Sequence, residues 1–346
     1  LLKMQFFLLV LAVAIDVGVY FLIVRTIVRP VVNMTDAMGT LAEGNLGVEV
    51  PGQGQRDEIG AMARALGVFK QTARLYRASE ARFQQLSNKL AKYLSPQIYA
   101  SIFSGEQSVE IASKRKKLTV FFSDIADFTE TTDSLESEEL TNLLNHYLTE
   151  MSKIAIDHGA TIDKYVGDAI IAFFGDPESR GVKEDARTCV NMAIAMQRRI
   201  QELQSEWLDK GLERPFRVRI GINTGFCTVG NFGSEDRMDY TIIGNEVNLA
   251  ARLESHAEVG GILMAHETHS LVKDTIMAEE GDALTVKGFA KPVRTYRIVG
   301  LYDDLAAQGR IIQEEEDGVR VLIDLKKGDK AAAIQAIENV LSRLKD

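Results

Sequence analysis

Nineteen consecutive residues, Phe6 to Val24, are apolar apart from Asp16, and no other feature restricts so strongly what this 346-residue chain can become. At 1.5 Å of rise per residue the run spans nearly all of a ~30 Å hydrocarbon layer, which predicts a transmembrane helix. Lys3 precedes the run while Arg25 and Arg29 follow it, a one-residue bias that directs the C-terminal side to the cytoplasm. A signal-peptide core is the competing reading, but a helical pattern continues beyond it with no small-residue cleavage site. Asp16 would cost about 2.5 to 3.5 kcal/mol in mid-bilayer without a partner, so we expect a protonated carboxyl hydrogen-bonded across a dimer seam. The sequence opens on Leu1 rather than a methionine, and we expect a fragment from which an N-terminal sensory part is missing.

Beyond Pro30, which suits a first helical turn, apolar residues Ile27, Val31, Met34, Met38 and Leu41 recur in steps of four and three. Gly44 should end that helix. Leu46, Val48 and Val50 then alternate through an extended connector, and a second seam follows Asp57 at Ile59, Met62, Leu66, Phe69, Ala73 and Tyr76. Two short parallel helices joined by such a connector directly after a membrane span, with Arg29-Pro30 and Asp57-Glu58-Ile59-Gly60, resemble a HAMP signalling domain, expected over residues 27–79. The resemblance implies a parallel four-helix dimer. Phe83, Leu86, Leu90 and Leu94 continue the helical pattern up to Ser95-Pro96, so one rod could join membrane to output domain. Residues 80–116 are read as this linker, and Leu90 to Gly105 resembles the transducer segment that precedes bacterial cyclase domains.

The remaining chemistry is bounded by charge and composition. A net charge of −9 argues against a general nucleic-acid binder, which needs a basic face to neutralise phosphates. Cys189 and Cys227 form no C-x-x-C pair, and the five histidines form no H-E-x-x-H cluster, which leaves zinc, disulfide and zincin chemistry without support. No G-x-S-x-G elbow is present, so serine-hydrolase chemistry is also improbable.

From Leu118 the periodicity changes. Leu118 to Phe122 reads as a strand, Leu140 to Ile154 as an amphipathic helix, and Ala160 to Phe174 as a hairpin about Gly167-Asp168. A helix over residues 183–210 and a strand from Phe216 to Asn223 follow. Strand, helix, hairpin, helix, strand is the order of a ferredoxin-like α+β sheet. The last 45 or so residues carry the acidic run Glu314 to Asp317, a strand-like Val319 to Leu325 and a helix with Ile334, Ile337, Leu341 and Leu344 on one face. Residues 301–346 are read as an accessory strand-helix extension without chemistry of its own.

Asp124 ends the first strand and Asp168 sits in the hairpin turn beside it, a pairing of hard oxygen ligands that magnesium can use with phosphates and water. Each alone is also an ordinary cap or turn residue. Their setting says more: Phe121 to Thr129 resembles the first metal motif of the class III nucleotidyl cyclases, and Lys164-Tyr165-Val166-Gly167-Asp168 resembles the second, with the aspartates 44 residues apart. The resemblance continues at Arg219 to Gly225, Tyr240 to Arg252 and Val286-Lys287-Gly288, covering roughly Lys117 to Val299 within a catalytic domain placed at 117–300.

The resemblance implies the following roles. Asp124, Asp168 and the backbone carbonyl of Ile125 hold two Mg²⁺ or Mn²⁺ ions. Backbone N–H groups at Phe128 and Thr129 cradle phosphate oxygens, and Arg219 and Lys287 bind the triphosphate. Asn248 orients the ribose and Arg252 stabilises the transition state. Lys164 and Thr241 read the base, and because Lys can donate to an adenine ring nitrogen and Thr can accept from its amine, ATP is favoured over GTP. Threonine is the less decisive reader because a hydroxyl can also donate. Metal and base residues come from opposite subunits in this family, which implies a homodimer with two shared sites, anchored in the inner (cytoplasmic) membrane with its catalytic domain in the cytoplasm. Asp127 departs from the glycine common among relatives and is read as a solvent-facing turn residue. Two other readings stand beside the adenylate cyclase: a non-catalytic nucleotide sensor, and a different HAMP-coupled output such as a diguanylate cyclase or histidine kinase. The first conflicts with the full set of site residues, and the second with the lack of a G-G-[DE]-E-F turn and of a kinase phosphate-binding glycine box, while a transduction-only scaffold also stays open for the N-terminal third.

Overall fold

The computed structural model describes residues 2–105, 111–234, 236–316, 319–326 and 330–345. They divide into two units, Leu1–Tyr93 and Leu94–Asp346. In the first, the apolar run forms α1 (Leu2–Ile23), which passes through a π-helical turn, Val24–Val28, directly into α2 (Arg29–Ala42). The helix from Met4 to Ala42 is long and apolar enough to cross a membrane. Its bulky residues, among them Phe6, Phe7 and Phe21, are exposed. Pro30 occupies the first turn of α2, and Gly44, at φ 91°, terminates the chain's helical course as its sequence position suggests.

The connector is held from both sides. Leu46, Val48 and Val50 pack against Met34, Ala37, Leu41, Ala63 and Leu66. From α3 (Glu58–Leu90), Lys70 donates to the carbonyl of Val48, Arg74 to that of Leu46 and Arg77 to that of Gly44. Asp57 caps α3 by accepting from the Gly60 N–H at 2.9 Å. A side chain at Gly60 would collide with the backbone carbonyl of Gln55, which gives the Asp57-Glu58-Ile59-Gly60 wording a packing cause. Only part of each heptad seam is covered. Met34, Leu41 and Leu66 are buried, whereas Val31, Met38, Met62 and Phe69 remain exposed along a groove between α2 and α3. The helical rod is also shorter than the sequence pattern suggests: α3 gives way to a 3₁₀ turn at Ala91–Tyr93, before Leu94.

The second unit begins with α4 (Pro96–Phe103), capped by Ser95. In chain order there follow β1 (Ser113–Ile125), α5 (Phe128–Ser134), α6 (Ser137–Asp157), β2 (Thr161–Val166), β3 (Ala169–Phe174) and α7 (Val182–Asp209). Then come β4 (Val218–Ser234), β5 (Arg237–Ile243), α8 (Asn245–His256), β6 (Ile262–Ala265), α9 (His266–Val272), β7 (Ile276–Glu280) and β8 (Thr295–Leu301). The sheet runs β2-β3-β1-β4-β6-β8-β7, with β5 pairing along the far part of β4. Its first four strands are antiparallel in the order of a ferredoxin-like α+β fold, with α6 and α7 in the two crossovers.

From Leu118 onward β1 is largely apolar because both its faces are covered there, whereas Ser113 to Lys117 are polar and more exposed. Phe121 and Ile125 meet Tyr147, Met151, Met192, Met196 and Trp207 from α6 and α7, while Leu118 and Val120 meet Phe173, Val229 and Ala250 on the other side. Gly221 permits the close seat of α8 on β4, since a Cβ there would strike the Glu254 N–H and the Ala250 carbonyl.

Beyond the sheet lie α10 (Tyr302–Ala307), β9 (Ile311–Glu316), β10 (Val319–Asp324) and α11 (Lys330–Lys345). Glu314 to Glu316 form part of a strand, where the sequence reads simply as a charged run. Among the described residues β9 and β10 pair only with each other, so their outward positions tolerate carboxylates. Asp317 lies outside the described residues.

Candidate active site

The long, doubly covered β1 carries Asp124 to its C-terminal end, opposite Arg219 of β4 in register. The β2–β3 turn, through Gly167 at φ 65°, delivers Asp168 beside it. There Asp168 Oδ2 accepts the Ile125 N–H at 3.0 Å, which locks the turn onto the strand end. Arg219 bridges two acids, with its Nη2 at 3.8 Å from Asp124 Oδ2 and its Nε at 3.2 Å from Glu254 Oε1, the latter lacking hydrogen-bond alignment. Burial, then the neighbouring Asp124 carboxylate, pushes Asp168 up to about 6. Two carboxylates crowded in this way invite a cation. Among the described residues no three His, Cys, Asp or Glu side chains are grouped so as to hold a metal ion, so a cation here would draw on Asp124, Asp168, a backbone carbonyl such as that of Ile125, and oxygens from water and substrate. Such an all-oxygen shell fits Mg²⁺ or Mn²⁺.

Glu254 is the residue that motif reasoning passes over. A signal for it exists in the phase of α8: Ala250, Leu253 and Ala257 are buried around it, so position 254 must face inward. Burial, followed by the Asp124 charge, pushes its carboxyl up to about 7, against the pull of Arg219. Between the ordinary glutamate value and about 7 the folded protein therefore binds a proton that the unfolded chain does not. Stability contributed by this group falls as pH rises through that window. We expect cation-free protein to lose resistance to urea between pH 5 and pH 8, and Glu254→Gln to flatten that dependence. Emission from Trp207, the single tryptophan and a buried part of this unit, reports the transition.

Phe128 and Thr129 open α5 immediately after the strand, with the Phe128 ring against Phe216 at 5.9 Å. Asp127 enters that turn at φ 58°, the only non-glycine residue with positive φ among those described. Its carboxylate points to solvent and lies 3.7 Å from Arg217, in keeping with a turn residue facing water. The left-handed backbone costs a Cβ-bearing residue about 1–2 kcal/mol, against about 0.5–1 kcal/mol of extra glycine entropy. Asp127→Gly should therefore stabilise this unit by roughly 0.5–1 kcal/mol in urea titrations, with turnover kept.

The base-reading candidates form a separate group. Thr241, buried on β5, donates its hydroxyl hydrogen to Asp163 Oδ2 at 2.8 Å. The Nζ of exposed Lys164 lies 3.8 Å from the other oxygen of the same carboxylate. Burial raises the Asp163 pKa, opposed by the Thr241 hydroxyl and the Lys164 ammonium. Asp163 is the second residue that sequence reasoning missed. A break in register between Ile162 and Lys164 re-aims it, and no alternation rule anticipates a bulge. Asn248 and Arg252 stand one turn apart on the exposed face of α8, and Lys287 is exposed in the loop before β8. Among the described residues, no hydrogen bond or ion pair joins Lys164, Thr241, Asn248, Arg252 or Lys287 to the acid pair.

The family model for the adenylate and guanylate cyclase catalytic domain matches residues 111–300, and the HAMP domain model matches residues 22–74. An adenylate cyclase from Anabaena cylindrica is 29% identical over 290 residues, 78% of this chain and 54% of the relative, so the chain spans about half of that relative's length. Among solved structures, the adenylyl cyclase CyaB from P. aeruginosa is 57% identical, with a TM-score of 0.53 over 55% of this chain and 96% of that one. The guanylyl cyclase Cya2 is 34% identical, with a TM-score of 0.52 over 55% of this chain and 95% of that one.

Proposed function

Because the chain belongs to the adenylate and guanylate cyclase family, with a HAMP domain ahead of the catalytic domain, we propose that it converts ATP to 3′,5′-cyclic AMP and pyrophosphate. The observation that carries this reading is the acid corner, in which Asp168 is clamped to the Ile125 N–H beside Asp124. The reaction forms a bond from the ribose 3′-oxygen to the α-phosphorus and breaks the bond to the pyrophosphate oxygen. Asp124, Asp168 and the Ile125 carbonyl would hold two Mg²⁺ or Mn²⁺ ions, which when bound supply Lewis acidity that acidifies the 3′-hydroxyl and offsets charge on the pyrophosphate. Arg219 and Lys287 bind triphosphate oxygens, and the Phe128 and Thr129 N–H groups add donors. Asn248 holds the ribose, and the Arg252 guanidinium stabilises charge at the reacting phosphorus. Lys164 donates to an adenine ring nitrogen while Thr241 accepts from the adenine amine.

The separation of these groups within one chain supports a homodimer in which each site takes its acid corner from one subunit and its base and transition-state residues from the other. Exposed Val31, Met38, Met62 and Phe69 in the first unit offer a matching apolar seam for a second copy. The apolar helix and the HAMP domain support a membrane anchor, which we assign to the inner (cytoplasmic) membrane with the catalytic unit in the cytoplasm. No nucleic-acid partner is invoked. Incubating the full chain in detergent with ATP or GTP plus Mg²⁺ or Mn²⁺ and separating the products by chromatography tests the reading. Cyclic AMP should dominate. No cyclic nucleotide under any combination would overturn it.

A further inference from the structure

We propose that Asp163 is a specificity-determining positioning residue: it fixes Thr241 as a hydrogen-bond acceptor toward the base and so turns the site against guanine. The inference rests on the reading of Lys164 and Thr241 as the base-contacting pair. A threonine hydroxyl has one hydrogen and two lone pairs, and by itself can serve adenine's amine or guanine's O6 equally well. The choice falls to whatever holds the hydrogen on the protein side.

Here that partner is a carboxylate. The bulge in β2 turns Asp163 toward β5, where its side chain is only 4% exposed. Its Oδ2 takes the Thr241 hydrogen at 2.8 Å. An ionised carboxylate can accept but never donate, so the hydrogen is committed and only lone pairs remain on Thr241 Oγ1. Lys164 Nζ lies 3.8 Å from Oδ1, and its charge, with the Thr241 hydroxyl, opposes the rise that burial imposes on the Asp163 pKa. One buried acid thus orients the Thr241 hydroxyl. Adenine's amine then finds an acceptor, whereas guanine's O6 meets lone pairs and loses its bond to water without replacement. Leaving one polar group unpaired in this way corresponds to a discrimination of about ten- to a hundredfold.

The test compares kcat/KM for ATP and GTP in the full chain with Mn²⁺. Asp163→Asn keeps the shape but presents an NH₂ that can donate to Thr241, which frees the hydroxyl to turn toward O6. Asp163→Ser removes the obligate acceptor by a second route. Each should lower the ATP preference about ten- to a hundredfold, through better use of GTP and a higher KM for ATP, with Trp207 emission and the thermal midpoint kept. Thr241→Val, which has no hydroxyl, should also lower the preference, and adding Asp163→Asn to it should have no further effect on the ratio. If Thr241→Val shifts the ratio while both Asp163 variants leave it unchanged, the inference is wrong and the base-reading pair stands. An Asp163→Asn effect that persists undiminished in the Thr241→Val background overturns it too. If Thr241→Val leaves the ratio unchanged, the base reading itself fails and the inference falls with it.

Discussion

Asp168→Asn should lower cyclic-nucleotide formation by roughly a thousandfold while leaving the cation-free protein as stable as before, or more so. The two halves of this expectation have one origin. Burial and the Asp124 charge already favour a neutral group at position 168, and an asparagine oxygen can still accept the Ile125 N–H. What the amide cannot do is supply a second negative charge to hold divalent cations against a triphosphate. Asp124→Asn should match it in activity. Turnover at saturating Mn²⁺, set beside urea unfolding followed at Trp207 in EDTA, separates the effects. Normal turnover in either variant would exclude a two-cation site at this corner.

Mixing two dead variants should restore catalysis. Asp124→Asn removes the acid corner from one chain, and Asn248→Ala removes ribose orientation from the other. If sites are shared across a dimer, each heterodimer regains one unblemished site and keeps one doubly damaged one. With random pairing the mixture should recover about a quarter of the wild-type rate, where either variant alone gives almost none. Separately tagged chains purified through both tags provide proof of pairing. A verified heterodimer with no activity would mean that each site is built within a single chain.

The parts of this molecule legible in its sequence are those governed by local periodicity and by strict spacing. Seams at steps of three and four mark α2 and α3, and the Gly167-Asp168 turn marks the β2–β3 hairpin within a residue of where it lies. Asp124 and Asp168 carry their meaning through order and separation, which a folded hairpin converts into adjacency. Glu254 and Asp163 were hidden for different reasons. The first needs the phase of a helix judged against a sheet not yet built, and the second depends on a bulge, which breaks the alternation a reader relies on. The full length of β4, 17 residues, was equally opaque, because its far half is defined by pairing with β5 rather than by any apolar run. Asp127 shows the reverse: its departure from glycine was visible, and the left-handed backbone explains why that position has a preference at all.

In a helix, residue count is also compass bearing. The π turn at Val24–Val28 stores about one residue beyond the α-helical count, so every side chain of α2 is turned by about 100° from where an unbroken α-helix through Asp16 would point it. The azimuth at which Met34 and Leu41 meet their surroundings is therefore not set by the membrane span alone but by this one surplus residue at its edge, where a bearing can be reset without unwinding the helix on either side.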